Sequence, residues 1–453
     1  MLSEILNFQG AKSPLGMGSF SKDFIIQEET VKVIIMAGGK GTRISSVAND
    51  IPKPMIRINN KPILEYEIEM LREQGYTDIL LIIGHLGHII KDYFKDGSDW
   101  GVKISYFIEE EPLGTAGALY YLKKELTEDF FLLNGDVIMD LDLNRMKQYH
   151  QRHDGEITLL THPNSHPYDS ALIVTNDHGQ VKQWLHKEDS RSVYKNRVNA
   201  GVHILSPRAL DLITGPGKWD LDRDILKPLV PRGIVYAYDS PEYVHDMGTP
   251  ERYYAVTEDL LSGKVNSKNL HNKQKAVFLD RDGTLNVYKG FITDPDQIEL
   301  LPGVAKAIKI INDSGYLAIV ISNQPVIARG DCTIAELDDI NNAMETKLGL
   351  EGAYIDDLFY CPHHPDKGFE GERPEYKFEC ECRKPKPGLL LKAAEKYNID
   401  LSSSFMVGDS EIDIKAGINA GCVPIYIGQS SIDSSLKFDS YHSLLDFVND
   451  KIN

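Results

Sequence analysis

The sequence predicts an α/β protein built from two doubly wound domains, and three observations predict it. At 453 residues the chain is too long for one ordinary hydrophobic core. Short β-rich runs recur along it, each closing in glycine or aspartate, where parallel sheets place their ligand crevices. A polar stretch without periodicity, 265–275 (VNSKNLHNKQK), separates two groups of such runs. The expected division is an N-terminal extension over 1–28, a first domain over 29–264, a linker over 265–275 and a second domain over 276–453.

Composition narrows the function classes. The net charge is −18 and the isoelectric point near 5.2, which argues against a nucleic-acid or anionic-membrane surface. Anionic small-molecule substrates must then be drawn in by local Lys, Arg and metal. No apolar run approaches membrane-spanning length and the N-terminus does not read as a secretory signal, so the expected location is cytoplasmic. A homo-oligomer is left open. Of five cysteines, three cluster late in the chain, a metal or thiol pattern rather than a disulfide framework.

In the first domain, the run 31–37 (VKVIIMA) leads into Gly38-Gly39-Lys40-Gly41-Thr42-Arg43 and then Pro52-Lys53-Pro54. Glycines after a strand let backbone N–H groups approach phosphates, and Arg43 and Lys53 can neutralise a polyphosphate. Neither the Walker A nor the dinucleotide spacing is present. Residues 62–74 alternate at helical spacing and stop at Gly75, while 79–83 and 103–108 read as further strands. Gly114 and Thr115, in the small-residue loop 113–118, would let a flat base approach the backbone. The run 130–133 closes in Asn134-Gly135-Asp136, and Asp246 follows far downstream. Each aspartate alone is more often a turn or capping residue. Lys187 and Asn199 are candidate sugar-phosphate contacts.

Together these residues resemble the sugar-1-phosphate nucleotidyltransferases, over about 31–260. The resemblance implies a Rossmann-like, GT-A-like domain in which Gly38, Gly39, Gly41, Thr42, Arg43 and Lys53 form the signature loop. Asp136 and Asp246 would hold Mg²⁺, Gly114 and Thr115 would meet the base, and Lys187 the sugar phosphate. His186 stands where many members carry Glu, and 43–47 is similar to the heptose-1-phosphate guanylyltransferase branch. The implied reaction is attack of a sugar phosphate on the α-phosphorus of a nucleoside triphosphate, driven by alignment and charge neutralisation.

The second domain opens on Val277-Phe278-Leu279-Asp280-Arg281-Asp282-Gly283-Thr284. Two carboxylates so close at a strand end call for a cation, and a hard ion such as Mg²⁺ recruits phosphate as well. One carboxylate can attack phosphorus while the other handles the leaving-group proton. The run 316–321 ends in Ser322-Asn323-Gln324, and Phe405–Gly408 ends in Asp409, with Asp413 one helical turn on. Arg383 and Lys384 lie between. Separately, Cys361, His363, Cys380 and Cys382 supply four ligands suited to tetrahedral, structural Zn²⁺, with His364 the alternative to His363. Cys332 and Cys422 read as packing residues.

This half resembles the haloacid-dehalogenase superfamily, within it the zinc-loop group that contains heptose-1,7-bisphosphate and histidinol-phosphate phosphatases. The resemblance runs over about 276–428. It implies Asp280 as nucleophile, Asp282 as general acid/base, Ser322 and Lys384 on the phosphoryl group, and Asn323 and Arg383 near substrate. Mg²⁺ would lie on Asp280, Asp282 and Asp409, and Zn²⁺ on Cys361, His363, Cys380 and Cys382. The fusion implies a bifunctional enzyme of activated-heptose synthesis, the second domain making the heptose 1-phosphate that the first would activate with GTP. The competing expectations are a hexose-1-phosphate enzyme joined to a histidinol-phosphate-type phosphatase, and a regulatory protein with one inactive domain.

Overall fold

The computed structural model describes residues 31–39, 50–153, 155–368, 370–428, 432–433 and 435–453. The first sheet is built on β1 (Val33–Met36), β2 (Asp78–Ile83), β3 (Lys103–Ile108) and β4 (Phe130–Asn134). These four run parallel, with β1 between β4 and β2 and β3 outside β2. Every expected strand of this half is present. Helix α1 (Ile63–Glu73) follows the periodicity of 62–74, burying Ile63, Leu64, Ile68 and Leu71 on one face, and it stops before Gly75 at φ +85°. Strand residues alternate between two cores, Val33 and Ile35 facing one and Ile34 the other.

After β4 the chain makes β5 (Val137–Asp140), β6 (Ile157–His162), β7 (Leu172–Thr175), β8 (Val181–Leu185), β9 (Val198–Leu205), β10 (Val235–Asp239) and β11 (Tyr243–Asp246). β9 joins β4 antiparallel and carries β7, β8, β6 and β10 beyond it. β11 pairs antiparallel with β5 as a separate ribbon, which sets Asp246 opposite Val137 and therefore beside Asp136.

The second sheet is parallel throughout: β12 (Lys275–Leu279), β13 (Tyr316–Asn323), β14 (Asp357–Cys361), β15 (Phe405–Gly408), β16 (Val423–Ile427) and β17 (Asp439–Tyr441) lie in the order β14-β13-β12-β15-β16-β17. The order reverses between β12 and β15, and in the first sheet between β1 and β4. At such a point the two flanking crossovers leave in opposite directions and open a crevice at the carboxyl ends. The DxD end of β12 and Asp409 after β15 lie at one crevice, and Gly38 after β1 and Asp136 after β4 lie at the other. Among the described residues no helix is long and apolar enough to cross a membrane.

The segment expected to be a polar linker is a packed joint. A short helix, Lys264–Ser267, precedes buried Lys268 and Gln274. The Gln274 amide donates to the carbonyls of Ser267, Asn269 and Asn272 at 2.9–3.1 Å. Asn269 donates to Asp140 at 2.6 Å. Its polar residues serve each other, which is why they show no apolar period.

Glu242 locks this joint. Its Oε1 accepts from the backbone N–H of Asp142 (2.8 Å) and of Leu270 (2.9 Å). Burial nevertheless outweighs these bonds and pushes the carboxyl from 4.5 to about 7. The folded state therefore holds a proton that the unfolded chain gives up, and stability should fall as pH rises from 4.5 towards 7, by on the order of 2–3 kcal/mol. Urea unfolding at pH 5 and pH 8 should show Glu242→Gln gaining on the wild type at the higher pH. A difference independent of pH would refute the assignment.

Candidate active sites

In the first crevice the chain leaves β1 through Ala37 into Gly38 and Gly39. A Cβ on Gly38 would lie 3.0 Å from Glu109 Oε2 and 3.3 Å from the Gly84 nitrogen, so glycine lets the strand end come this close. A Cβ on Gly39, which is exposed, would meet nothing within 4 Å among the described residues. Gly41, Thr42 and Arg43 lie outside the described residues. Lys53, on a 3₁₀ turn between Pro52 and Pro54, is buried, and its Nζ meets Asp136 Oδ2 at 2.6 Å. Asp246 is matched by Arg252 at 2.9 Å and by the Gly248 N–H at 2.8 Å. Burial raises its carboxyl, but Arg252, Gly248 and Lys53 together outweigh this and hold it low.

A cleft of about 770 Å³ runs past Gly38, Gly39, Glu109, Gly114, Thr115 and Asp136. It continues across Lys53, Asn134 and Asp136 into a polar hollow of about 430 Å³ lined by Asn164, His166, Asn199, Asp222 and His245 among others. The aspartates stand where the two parts meet. Asn199 lies in the hollow and donates to Asp222 at 3.3 Å. Burial raises Asp222 to about 6 and lowers His203 to about 4, so the His203 imidazole is a neutral hydrogen-bonding group.

Gly114 and Thr115 line the cleft, and Gly114 and Gly117 also pack closely on another stretch of backbone. A Cβ on Gly114 would lie 2.4 Å from Trp219 O, and one on Gly117 2.3 Å from Gly217 O. Thr115 Oγ1 accepts from the Leu221 N–H at 2.8 Å, which ties the same two segments. Lys187, expected at the sugar phosphate, stands exposed beyond β8 and does not line the hollow. The sequence reading also missed Glu109. The visible signal was three acidic residues, 109–111, directly after β3.

In the second crevice Asp280 follows β12, and its Oδ1 lies 2.6 Å from Lys384 Nζ. The same ammonium lies 2.6 Å from Asp413 Oδ1. Carboxylate oxygens of Asp280, Asp409 and Asp413 all fall within 4.8 Å of one another. Burial first, then repulsion from Asp413, pushes Asp280 to about 7 and Asp409 to about 6, Lys384 opposing in both cases. Such a cluster suits a hard cation, which would relieve the repulsion. The glycines make it possible: a Cβ on Gly283, at φ +93°, would sit 1.9 Å from Asp409 Oδ2, and one on Gly408 2.3 Å from the Asp413 Cβ.

Asp282 keeps its side chain out of that cluster, and Asp413 takes the third place. The Asp282 carboxylate accepts from Arg281 (2.9 Å), Gln324 (2.8 Å) and Asn286 (3.0 Å). Fully buried Arg281, which the sequence reading had not singled out, is fixed in turn by Asn341 at 2.8 Å. Ser322 Oγ accepts from Gln324 at 2.7 Å, which links it to Asp282. Asn323, expected near substrate, engages both ends of its amide with the Lys384 backbone at 3.0 Å. It positions the lysine.

The cysteine constellation assembles as expected. Sγ of Cys361, Cys380 and Cys382 lie 3.1–3.5 Å apart, and His363 Nδ1 lies 3.2 Å from Cys382. His364 turns towards Asp366 instead. Three thiols and an imidazole in one cluster form a soft-to-borderline ligand set. Arg383 donates to the His363 carbonyl at 3.1 Å, so it braces this loop.

Two parallel-sheet crevices, each pairing a buried lysine with aspartates, define a chain of two phosphate-handling α/β enzymes. The sequence comparisons agree. A nucleotidyl transferase profile matches residues 32–263, and a haloacid dehalogenase-like hydrolase profile matches 227–421. The second match starts before β12, inside the first domain.

A UTP–glucose-1-phosphate uridylyltransferase of Synechocystis is 30% identical over 354 residues, covering 74% of this chain and 89% of that protein. A mannose-1-phosphate guanyltransferase of Candida glabrata is 32% identical over 234 residues, covering 50% of this chain and 64% of that protein. A D-glycero-beta-D-manno-heptose-1,7-bisphosphate 7-phosphatase of Pasteurella multocida is 42% identical over 148 residues, covering 32% of this chain and 77% of that protein. The chain belongs to the nucleotidyl transferase family in its N-terminal half and to the haloacid-dehalogenase-like phosphatases in its C-terminal half, and is a bifunctional enzyme.

Proposed function

We propose that the C-terminal domain removes the 7-phosphate of a D-glycero-D-manno-heptose 1,7-bisphosphate, and that the N-terminal domain transfers GMP from GTP to the resulting heptose 1-phosphate, releasing pyrophosphate. The observation that carries this reading is the presence of both crevices in one chain. The phosphatase half is 42% identical to a protein named for the heptose bisphosphate, and such a phosphatase would leave a sugar 1-phosphate, the kind of substrate named for relatives of the other half.

In the phosphatase, Asp280 attacks phosphorus, and Asp282, held by Arg281 and Gln324, protonates the leaving oxygen and then activates water. Lys384 and Ser322 hold the phosphoryl oxygens. Asp280, Asp409 and Asp413 offer the carboxylates for Mg²⁺, and the Cys/His cluster suits structural Zn²⁺. In the transferase, Asp136 and Asp246 would hold Mg²⁺, and Lys53 and Arg43 would meet phosphate. The ion's contribution in each crevice is to neutralise phosphate charge.

Glu109 supports guanine. Its Oε1 is buried with no partner among the described residues, at the wall of the cleft beside Gly38. Burial raises its carboxyl, and the Leu113 N–H offsets this in part. Guanine offers N1–H and a 2-amino group to such an acceptor, whereas adenine turns an unprotonated ring nitrogen towards it. Glu109→Gln should therefore cut the preference for GTP over ATP by roughly 10–100-fold in competition. An unchanged ratio would remove Glu109 from base selection.

The guanyltransferase relatives favour a second sugar, mannose 1-phosphate. The pure protein should be given GTP, Mg²⁺ and either heptose 1,7-bisphosphate or mannose 1-phosphate, with products followed by mass spectrometry. GDP-heptose appearing after phosphate release is expected. GDP-mannose alone would overturn the heptose reading.

A further inference from the structure

The sugar-side hollow of the transferase is walled partly by two loops, and both rest on the phosphatase domain. Helix α2 (Ile334–Leu350) belongs to the second domain and opens with a Thr333/Glu336 capping box. Its last turns lie against residues 164–170 and 194–199 of the first domain. Thr346 Oγ1 accepts from the Tyr194 N–H at 3.0 Å. Glu345 Oε2 accepts from the Asn196 N–H at 2.9 Å and faces Arg197 at 3.5 Å. Arg197 continues to Asp239 at 2.8 Å and to the Asp356 carbonyl at 2.6 Å.

Asn196 passes the support on. Its side chain donates to the Asn164 carbonyl at 2.7 Å and accepts from the Asn164 N–H at 3.2 Å. Asn164 and, two residues beyond Arg197, Asn199 both line the hollow. Gly349 makes the approach possible, since a Cβ there would lie 2.9 Å from Pro167 Cγ. Residues 191–197 have no regular secondary structure. Two of their backbone donors, on Tyr194 and Asn196, are satisfied only by Thr346 and Glu345 among the described residues, so the phosphatase domain shares with the loop's own domain in fixing its course.

We propose that Glu345, Thr346 and Gly349 of the phosphatase domain are positioning residues for sugar binding by the transferase, so the sugar-side wall is complete only when both domains are present. This rests on the transferase reading above. Initial rates of nucleotidyl transfer by the full chain should separate the two substrates.

Glu345→Ala should raise KM for the sugar 1-phosphate about tenfold, with KM for the nucleoside triphosphate and phosphatase kcat/KM within about twofold of wild type. Glu345→Gln should restore most of the loss, because its amide oxygen still accepts from Asn196. A purely electrostatic role would be lost in both variants. Gly349→Ala, which favours the helix, should raise the same KM several-fold by displacing Pro167. It decides the matter alone if Glu345→Ala does not fold. Wild-type sugar KM in the folded variants would overturn the inference. No transfer by the wild-type protein to any sugar 1-phosphate would overturn the underlying reading instead.

Discussion

Replacing Asp280 by asparagine is expected to lower phosphate release by at least ~10³-fold while leaving nucleotidyl transfer within about twofold. The amide keeps the shape but cannot attack phosphorus. It also removes the partner that Lys384 meets at 2.6 Å, and Lys384 keeps Asp413 at the same distance, so the variant should fold. The transferase crevice lies in the other sheet and shares none of these groups. Initial rates on heptose 1,7-bisphosphate and on heptose 1-phosphate with GTP, from one preparation, check both halves. Full phosphatase activity in Asp280→Asn would refute the nucleophile assignment, and a parallel loss of both activities would point to misfolding.

On the proposed zinc assignment, stripping the Cys/His cluster of its ion is the second large effect. The cluster closes a loop that leaves β14 at Cys361 and returns at Cys382, two residues before Lys384. If zinc is removed from that site, four ligand groups within 4.8 Å would have no common partner, and the run into Lys384 would lose an anchor. Cys382→Ala or a strong chelator should destabilise the second domain by roughly 3–5 kcal/mol, and phosphatase kcat should fall more than ~30-fold. Thermal unfolding with metal analysis of the same sample reads this. One zinc per chain in the wild type and none in the variant is expected. A variant that melts like the wild type would show that the cluster carries no structural load.

Much of both crevices could be read from the chain because their chemistry is local in sequence. Asp280, Asp282 and Gly283 sit on one strand end, and spacing brings Cys361 together with Cys380 and Cys382, while the choice of His363 over His364 comes from the fold. Asp136 was legible as the close of a buried run. The remainder depends on which segments meet across the fold. Gly114 and Gly117 are small for the sake of Trp219 and Gly217, about a hundred residues away, which no local pattern announces. Lys187 follows an edge strand and stands exposed, which its sequence neighbours do not announce. Asp413 reads as an N-terminal helix residue until Gly408 is seen to leave room for it. Residues 264–275 look unstructured because their order comes from amide networks rather than from an apolar stripe.

In the transferase crevice both aspartates already face a cationic side chain. Asp136 is matched by Lys53, and Asp246 by Arg252. On the proposed assignment, neither aspartate is bare before a divalent ion and its nucleotide arrive, and Asp136 would have to leave the Lys53 ammonium to hold the ion. That ammonium is then free to face the phosphates that came with the ion. Loading becomes an exchange of counter-ions instead of an accumulation of charge, so occupancy should depend on ionic strength less steeply than in a bare cationic pocket. A chain of net charge −18 can in this way admit a triphosphate without a positive surface to attract it.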